Sequence, residues 1–401
     1  MKPTLDSSPR LVAACVSPLN LPHLRCADSN PEPVRADSRR LLRETGAALL
    51  LGLACLLLGA LPTAQATTIT VANLNDSGPG SLRQAIADAA PGDTIDFAVT
   101  GTIALTTGEL LVTNNLTILG PGPGNLAVDG NAASRVFHIT NAVTVAISSL
   151  TVTDGVGAPA IFNSSLVIGG GIYNDHATLT VSNCTVNGNS AEDGGGIYND
   201  HAMLTVSKST ISGNLNYGGT LGGAGGGIFN NGSGGSATLT VSDSTLSDNS
   251  AGAGQGGGIY NSLGMLTVTN CTVNGNSAST GGGIRNDGQS GSATLIYNST
   301  FSHNSAGSAG GGIFNIGQSG SATLTVSNCT FSDNSAVVLG GGIFNNGESG
   351  SVTLTVSAST FSGNSTFYGF DGSGIFNDSA TLEIGNTILN AGASGANVGT
   401  L

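Results

Sequence analysis

Residues 169–191 read GGGIYNDHATLTVSNCTVNGNSA, and after Glu192 and Asp193 the chain continues from residue 194 with GGGIYNDHAMLTVSKSTISGN. The word GGGI recurs at spacings of 25 to 32 residues, which is the range in which repeat proteins are found. Its copies begin at residues 169, 194, 225, 256, 281, 310 and 340, and the variant GSGI begins at 372. The fold must therefore be one that places the same word at the same point many times.

Each copy contains three short strand-like runs, which in the first copy are GIYN, ATLTVS and CTVNGNS. Leu179 and Val181 alternate onto one face, and Val186 follows on the same side after a bend. Three short strands in roughly 25 residues close only as a triangular coil, which stacks on its neighbours about 4.8 Å above and below. The sequence therefore predicts an all-β protein, a parallel β-helix of about 10–11 coils.

The chain divides by its repeat signals into two folded parts. Residues 67–168 lack the glycine triplet but keep strand and turn signals, which predicts an N-terminal cap and irregular coils. Residues 169–401 form the repeat β-helix. The stretch Ser81–Gln84 has the capping-box pattern and predicts a short helix that covers the open end of the stack.

An apolar run, Ala47–Leu61, precedes these parts. Its 15 uncharged residues are fewer than the roughly 20 that span a bilayer. Arginines lie before the run and Ala64 and Ala66 follow it, as in a cleavable export signal. We predict that residues 1–66 are an N-terminal extension and secretory signal peptide, that the mature chain has no transmembrane segment, and that it is secreted or at the cell surface, outer membrane-associated or extracellular.

Charge excludes two classes of partner. After removal of residues 1–66, the fixed positive charges are Arg83, Arg135, Lys208 and Arg285, against 19 acidic residues. Nucleic acid binding requires clustered Lys and Arg to displace counterions, and these four are scattered. We therefore expect neither a nucleic acid nor an anionic membrane surface as partner.

Two columns of equivalent residues follow from stacking the copies. The first is a column of asparagines whose side-chain amides are expected to hydrogen-bond from coil to coil: Asn189, Asn214, Asn249, Asn276, Asn304, Asn334 and Asn364. The second holds small residues in one inward slot: Cys184, Ser209, Ser244, Cys271, Ser299, Cys329 and Ser359. Its cysteines lie two or three coils apart, about 10–14 Å at the strand spacing, beyond the ~7 Å limit for a disulfide. We predict three free, buried thiols.

A second recurring motif accompanies the glycine word. It reads FSHN at 301, FSDN at 331 and FSGN at 361, and earlier coils carry VNGN, ISGN, LSDN and VNGN with an aliphatic residue in place of Phe. Alternating GGxI and FxxN motifs resemble the repeats of the polymorphic outer membrane proteins, within the pectin-lyase-like superfamily of right-handed parallel β-helices. Residues 67–97 are similar to the N-terminal cap segment of bacterial exported β-helices.

The resemblance implies an exported surface protein with an adhesin-like role. Family members typically end in a membrane β-barrel, and no strands of that type follow the repeats here. Free secretion, truncation and anchoring by a partner are therefore all left open, and so is the oligomeric state.

An enzyme is the main alternative, because the superfamily includes polysaccharide lyases and glycoside hydrolases. A glycoside hydrolase needs paired carboxylates at a fixed separation, and a lyase of this superfamily would use an arginine base beside an acidic calcium site. Neither constellation is evident, so we predict no catalytic residues and no cofactor. A purely structural spacer is a third possibility.

Two Asp-His pairs, Asp175–His176 and Asp200–His201, occupy the same position in adjacent coils. Stacking would bring two carboxylates and two imidazoles within reach of one cation. Asn-Asp is also ordinary turn chemistry, and the same turn recurs at Asn286–Asp287 without a histidine. We favour the turn and predict no functional metal.

The fifth residue of the glycine word is aromatic in seven of eight copies. If the preceding isoleucine points inward, alternation turns this column outward, where it could bind sugar rings or a protein; alternatively, the rings stack on one another under the insert loops and stiffen the coil. The column comprises Tyr173, Tyr198, Phe229, Tyr260, Arg285, Phe314, Phe344 and Phe376. The leading hypothesis is an exported, non-catalytic, adhesin-like protein that binds an extracellular glycan or a host or matrix surface, with the aromatic residues as candidate ligand contacts.

Overall fold

The computed structural model describes residues 65–140, 142–160, 163–218, 223–288, 292–317, 320–348, 350–369, 372–390 and 396–400. The predicted extension and signal peptide therefore lie almost wholly outside the described residues. In the described part of the chain, no helix is long and apolar enough to cross a membrane.

The described chain winds through three parallel sheets, each formed by one strand from successive coils. Sheet 1 has 12 strands among the described residues. They are Thr68–Val71, Asp93–Phe97, Leu116–Leu119, Thr144–Ser148, Thr178–Ser182, Met203–Ser207, Thr238–Ser242, Met265–Thr269, Ser292–Tyr297, Ser321–Ser327, Ser351–Ser357 and Thr381–Gly385.

Sheets 2 and 3 each have 11 strands within the same described ranges. Sheet 2 comprises Gly101–Ala104, Leu126–Asp129, Thr151–Thr153, Thr185–Asn187, Thr210–Ser212, Thr245–Ser247, Thr272–Asn274, Thr300–Ser302, Thr330–Ser332, Thr360–Ser362 and Ile388–Leu389. Sheet 3 comprises Leu110–Val112, Phe137–Ile139, Ile172–Asp175, Ile197–Asp200, Ile228–Asn231, Ile259–Ser262, Ile284–Asp287, Ile313–Ile316, Ile343–Asn346, Ile375–Asp378 and Val398–Thr400.

Alternation along each strand builds the core. Leu179 and Val181 of sheet 1, Val186 of sheet 2 and Ile172 of sheet 3 are fully buried, and each pairs with the equivalent residue of the next coil. The predicted right-handed parallel β-helix of about ten turns is confirmed.

The predicted cap is also present. Helix α1, Leu82–Asp88, buries Leu82, Ala85 and Ile86, and the Ser81 hydroxyl accepts a hydrogen bond from the Gln84 backbone N–H at 3.2 Å. The Gln84 side chain donates to Asp88 at 2.7 Å instead of completing the capping box. No coil precedes the first one among the described residues, and the apolar side of this helix packs there instead.

Two asparagine ladders run through the repeat coils. The predicted one, which we call the sheet-2 ladder, connects each Nδ2 to the next Oδ1 at 2.8 to 3.0 Å. Another, which the sequence analysis missed, lies in sheet 3 and has bonds of 2.7 to 2.8 Å. This sheet-3 ladder comprises Asn174, Asn199, Asn230, Asn261, Asn286, Asn315, Asn345 and Asn377.

The glycine triplet is explained at Gly256 and Gly257. Gly256 has φ +66°, and a Cβ there would lie 2.5 Å from the Ile259 carbonyl oxygen. At Gly257 a Cβ would lie 2.4 Å from the carbonyl oxygen of Gly282 in the next coil. The triplet recurs because the backbone both turns in the left-handed region and stacks directly on the backbone of the next coil.

The cysteine prediction is confirmed for the described residues: Cys184, Cys271 and Cys329 are free and buried. The backbone N–H of Cys271 donates to the Ser299 hydroxyl of the next coil at 3.1 Å. Burial raises the pKa of the Cys184 thiol, which therefore stays protonated.

Candidate functional site

The aromatic column lies on sheet 3, one residue after each buried isoleucine. Alternation directs it away from the main core, as expected, and its side chains form separate clusters there. Of the two arrangements left open by the sequence, the rings are covered, because all members except the half-buried Tyr260 are only 5 to 7% exposed. Residues that immediately precede the glycine triplets cover the rings: Ile168, Ala224, Ala309 and Leu339.

The rings contact one another from coil to coil on either side of Arg285. Ring centroids are 4.9 Å apart between Tyr198 and Phe229 and between Phe229 and Tyr260, within the range of favourable aromatic pairs. Arg285 replaces one ring, and its guanidinium lies 4.7 Å from the centre of Phe314. The rings already have protein neighbours on both sides. Ligand binding by this column stays a prediction.

Tyrosine hydroxyls connect the column to carboxylates. Tyr173 donates to Asp200 at 3.2 Å and Tyr260 donates to Asp287 at 2.6 Å. Burial, followed by the nearby Asp287 charge, raises the pKa of Tyr260 above its usual value. These hydroxyls are neutral donors, and their role is to satisfy acids on the neighbouring coil.

The Asp-His pairs stack as predicted. The rings of His176 and His201 are stacked with centroids 5.2 Å apart, and each Nδ1 lies 2.6 Å from the Oδ1 of its own aspartate. Ligand atoms of Asp175, His176 and Asp200 lie within 4.8 Å of one another.

Hydrogen bonds already occupy these carboxylates. Thr140 donates to Asp175 at 3.0 Å, and Asn231 donates to Asp200 at 2.9 Å. His176 and His201 both have positive φ, as the turn interpretation requires. The absence of a functional metal stays a prediction, which elemental analysis of the undialysed protein and of His176→Ala would test.

A buried polar cluster that the sequence analysis missed lies beside these pairs. Arg135 is 1% exposed, forms an ion pair with Glu109 at 2.7 Å and donates to the Ile168 carbonyl at 2.9 Å. His138 lies 3.1 Å from Glu109 and 3.7 Å from Asp175. The sequence signal for this cluster was the segment RVFHIT, residues 135–140. Its strand pairs with the strand of the first GGGIYN segment, so that His138 occupies the position before Tyr173 in the aromatic column.

The electrostatics of this cluster favour the charged forms of Glu109, His138 and Asp175. Burial disfavours a charged His138, but the carboxylates of Asp175 and Glu109 outweigh it and raise the pKa of His138. Burial likewise opposes ionisation of Asp175, and its histidine and Thr140 partners hold its pKa well below the usual range. The cluster is an ion network that joins the irregular coils to the repeat coils.

The outer face of sheet 1 is an exposed surface of regular structure. Its outward residues between Thr178 and Ser357 are uncharged, mostly Thr and Ser. Large apolar side chains rise from this hydroxyl array at Met203, Met265 and Tyr297, which are 58%, 59% and 46% exposed. Such a face suits contact with another surface rather than a small substrate.

The repeats match a known family model. Residues 183–200, 243–262 and 328–346 match the Chlamydia polymorphic membrane protein repeat. Each match begins before a sheet-2 strand and ends in the following sheet-3 strand, so it contains a sheet-2-ladder asparagine and the glycine triplet.

Comparison with a solved structure supports the fold. The chain is similar to the solved structure of Geobacillus virus E2 ORF18, with a TM-score of 0.52 and 12% identity over 80% of this chain and 62% of that one. It is also similar to pectate lyase Pel9A, with a TM-score of 0.46 and 14% identity over 84% and 82% of the two chains.

A curated relative matches a shorter stretch. It is the probable pectate lyase C of Aspergillus oryzae (strain ATCC 42149 / RIB 40), 44% identical over 73 residues, which are 18% of this chain and 16% of that protein. The chain thus spans about a sixth of that relative's length. The chain therefore contains repeats of the polymorphic membrane protein type and folds as a right-handed parallel β-helix.

Proposed function

We propose that the protein is exported and acts at the cell surface or outside the cell as a non-catalytic, adhesin-like binder of an extracellular glycan or matrix surface. The repeat type supports a surface location. The observation that carries the binding role is the uncharged outer face of sheet 1, with Met203, Met265 and Tyr297 standing above its hydroxyls.

Contact through this face has a low desolvation cost. Hydroxyl and methyl groups of Thr lose less hydration free energy on contact than charged groups do. The exposed methionines add adaptable apolar contacts. Because the face is a regular sheet, its groups repeat about every 4.8 Å along the helix axis, which suits an extended or repetitive partner surface.

The similarity to a probable pectate lyase makes polysaccharide lyase activity the alternative function. The arginines offer little support for it. Arg135 and Arg285 are buried in ion pairs, and Arg83 lies 2.6 Å from Asp76. A guanidinium whose donors are occupied by protein partners is a poor base for abstracting a substrate proton.

Binding of the mature chain to immobilised matrix proteins and to glycan arrays tests the proposal. Met203→Glu combined with Met265→Glu should weaken binding at least tenfold, because it places two charges on the contact face. Thr272→Glu combined with Thr330→Glu adds the same charge to exposed positions of sheet 2 and should leave binding unchanged. Unsaturated products from polygalacturonate would establish the lyase instead, and absence of both binding and turnover would favour a spacer.

A further inference from the structure

A groove outside these sites lies at the corner between sheets 2 and 3. Here short parallel strands form sheet 4: Ser277–Thr280, Ser305–Ala309, Ser335–Ala336 and Ser365–Thr366. The strands pair in register, so that Ser305, Ser335 and Ser365 form one column and Ala306, Ala336 and Thr366 form the next. The corner thus presents a row of hydroxyl groups beside a floor of small buried residues.

The groove has a volume of about 390 Å³. Its lining comprises Ser305, Ala306, Gly307, Ser335, Ala336, Val337, Ser365 and Phe367. No lining residue carries a charge. The groove is therefore shaped by small uncharged side chains on two coils and by one large ring on the third.

Phe367 is the most exposed large apolar residue among those described, at 79%. Its backbone N–H donates to the Ala336 carbonyl at 3.0 Å, which holds the residue against the preceding coil. The Tyr368 ring meets it edge-on, with centroids 5.3 Å apart. The Phe367 ring is exposed to solvent beside the groove, and its backbone is held in place. It therefore presents a preformed apolar surface to a ligand.

We propose that this groove binds a neutral oligosaccharide, with one sugar ring stacked on Phe367 and the chain extending along the helix axis past the serine column. Apolar C–H faces of sugars suit an aromatic ring, and their hydroxyls suit serine hydroxyls spaced about 4.8 Å apart. An acidic glycan would need Arg or Lys to pair its carboxylates, and the lining has none, while the whole chain has a net charge of −13. The inference rests on the proposed role as an extracellular binder.

Calorimetric titration of the mature chain with neutral hexasaccharides of glucose, mannose and N-acetylglucosamine tests this assignment, with oligogalacturonate as the acidic comparison. Phe367→Ala should weaken binding of the preferred neutral hexasaccharide at least tenfold, and Phe367→Trp should retain it. Gly307→Leu should block the groove without backbone strain, because a Cβ at Gly307 lies at least 3.7 Å from its neighbours. Tyr217→Ala, which removes an exposed aromatic at the same corner of an earlier coil but outside the groove, should bind as the parent does.

Three results would overturn the assignment: no neutral hexasaccharide binds, oligogalacturonate binds more tightly, or Tyr217→Ala weakens binding as much as Phe367→Ala. Thermal unfolding of each variant guards against misfolding. If the Met203 and Met265 double variant abolishes surface binding while Phe367→Ala leaves hexasaccharide affinity unchanged, the proposed function stands and the oligosaccharide groove falls.

Discussion

The coils before and after Gly169 stack in the same way, but their buried polar side chains form different kinds of hydrogen bonds. In the repeat coils, each asparagine hydrogen-bonds to an identical asparagine above and below. In the irregular coils, Ile139 occupies the position of the sheet-3 ladder, and the ladder ends at Asn174, whose buried Oδ1 has no partner among the described residues. Repetition lets identical residues pair, and the end of the sheet-3 ladder leaves one group unsatisfied, whereas the sheet-2 ladder ends at Asn189, whose Oδ1 accepts from the Gly155 N–H at 2.8 Å.

The junction between the two regions contains the charges that the repeat coils mostly avoid. Glu109, Arg135 and His138 come from irregular coils, and they meet Asp175 of the first repeat coil. At this boundary a residue has no identical neighbour on one side, so complementary charges replace identical amides. The comparison shows that sequence repetition and ion pairing are alternative ways of satisfying polar groups between coils.

The aromatic column belongs to the repeat side of this comparison, and its loss should have the largest effect. Tyr173, Tyr198 and Tyr260 replaced together by Ser should unfold the repeat coils, because deleting a buried aromatic side chain costs about 3–5 kcal/mol and total stability is about 5–15 kcal/mol. Circular dichroism and thermal unfolding measure this. Tyr297→Ser, on the exposed face, is the control. A β-rich protein that loses only ligand binding would show instead that the column contacts a ligand.

Breaking one ladder should have an intermediate effect. Asn261→Leu removes the bonds to Asn230, Asn286 and the Gly264 carbonyl, and leaves the Asn230 amide with only a long hydrogen bond, 3.3 Å, to the Met265 carbonyl. The free energy of unfolding should fall by about 3 kcal/mol, since each buried group left unsatisfied costs about 1–3 kcal/mol. Asn274→Leu, the same change on the outer face of sheet 2, should cost less than about 1 kcal/mol. Equal losses in urea titrations would contradict a special role for the ladder.

The junction should make stability depend on pH. His138 has a raised pKa, so its contribution is complete below the unfolded value of about 6.5 and is lost as pH rises through the folded pKa. Burial raises the pKa of Asp193 to about 7. Its ionisation therefore also lowers the stability of the folded protein as pH rises. Urea titrations from pH 5 to 9 should show falling stability. His138→Phe should reduce this slope when introduced into Asp193→Asn, and an unchanged slope would exclude His138 as the source.

The smallest effect is expected in the cysteine column. Cys271→Ser should change the free energy of unfolding by less than about 1 kcal/mol, because Ser244 and Ser299 already occupy the equivalent slots. A new hydroxyl can donate to the Thr269 carbonyl, which now lies 3.1 Å from the Cys271 sulfur. The parent thiols should react with a maleimide probe only after denaturation. An intrachain disulfide between Cys271 and Cys329 would contradict the coil register described above.

The repeat made the register predictable. Because GGGI recurs, Ile259 had to pair with Ile228 and Ile284, and the structure has these pairs. Burial of the rings was not predictable in the same way, because the residues that cover them vary from Ile168 to Ala224 to Leu339. Alternation gives the direction of a side chain but not what lies above it.

The sequence by itself determined the parallel β-helix, the capping helix, the sheet-2 ladder and the free thiols, since each follows from local pattern and a fixed coil spacing. Only the tertiary structure decided which outward positions remain exposed and how the junction is closed. Glu109, Arg135 and His138 belong to no repeat, and Phe367 stands beside the serine column only because the coils stack. Periodic patterns specify contacts between equivalent residues, whereas contacts between unlike residues depend on how the chain closes in three dimensions.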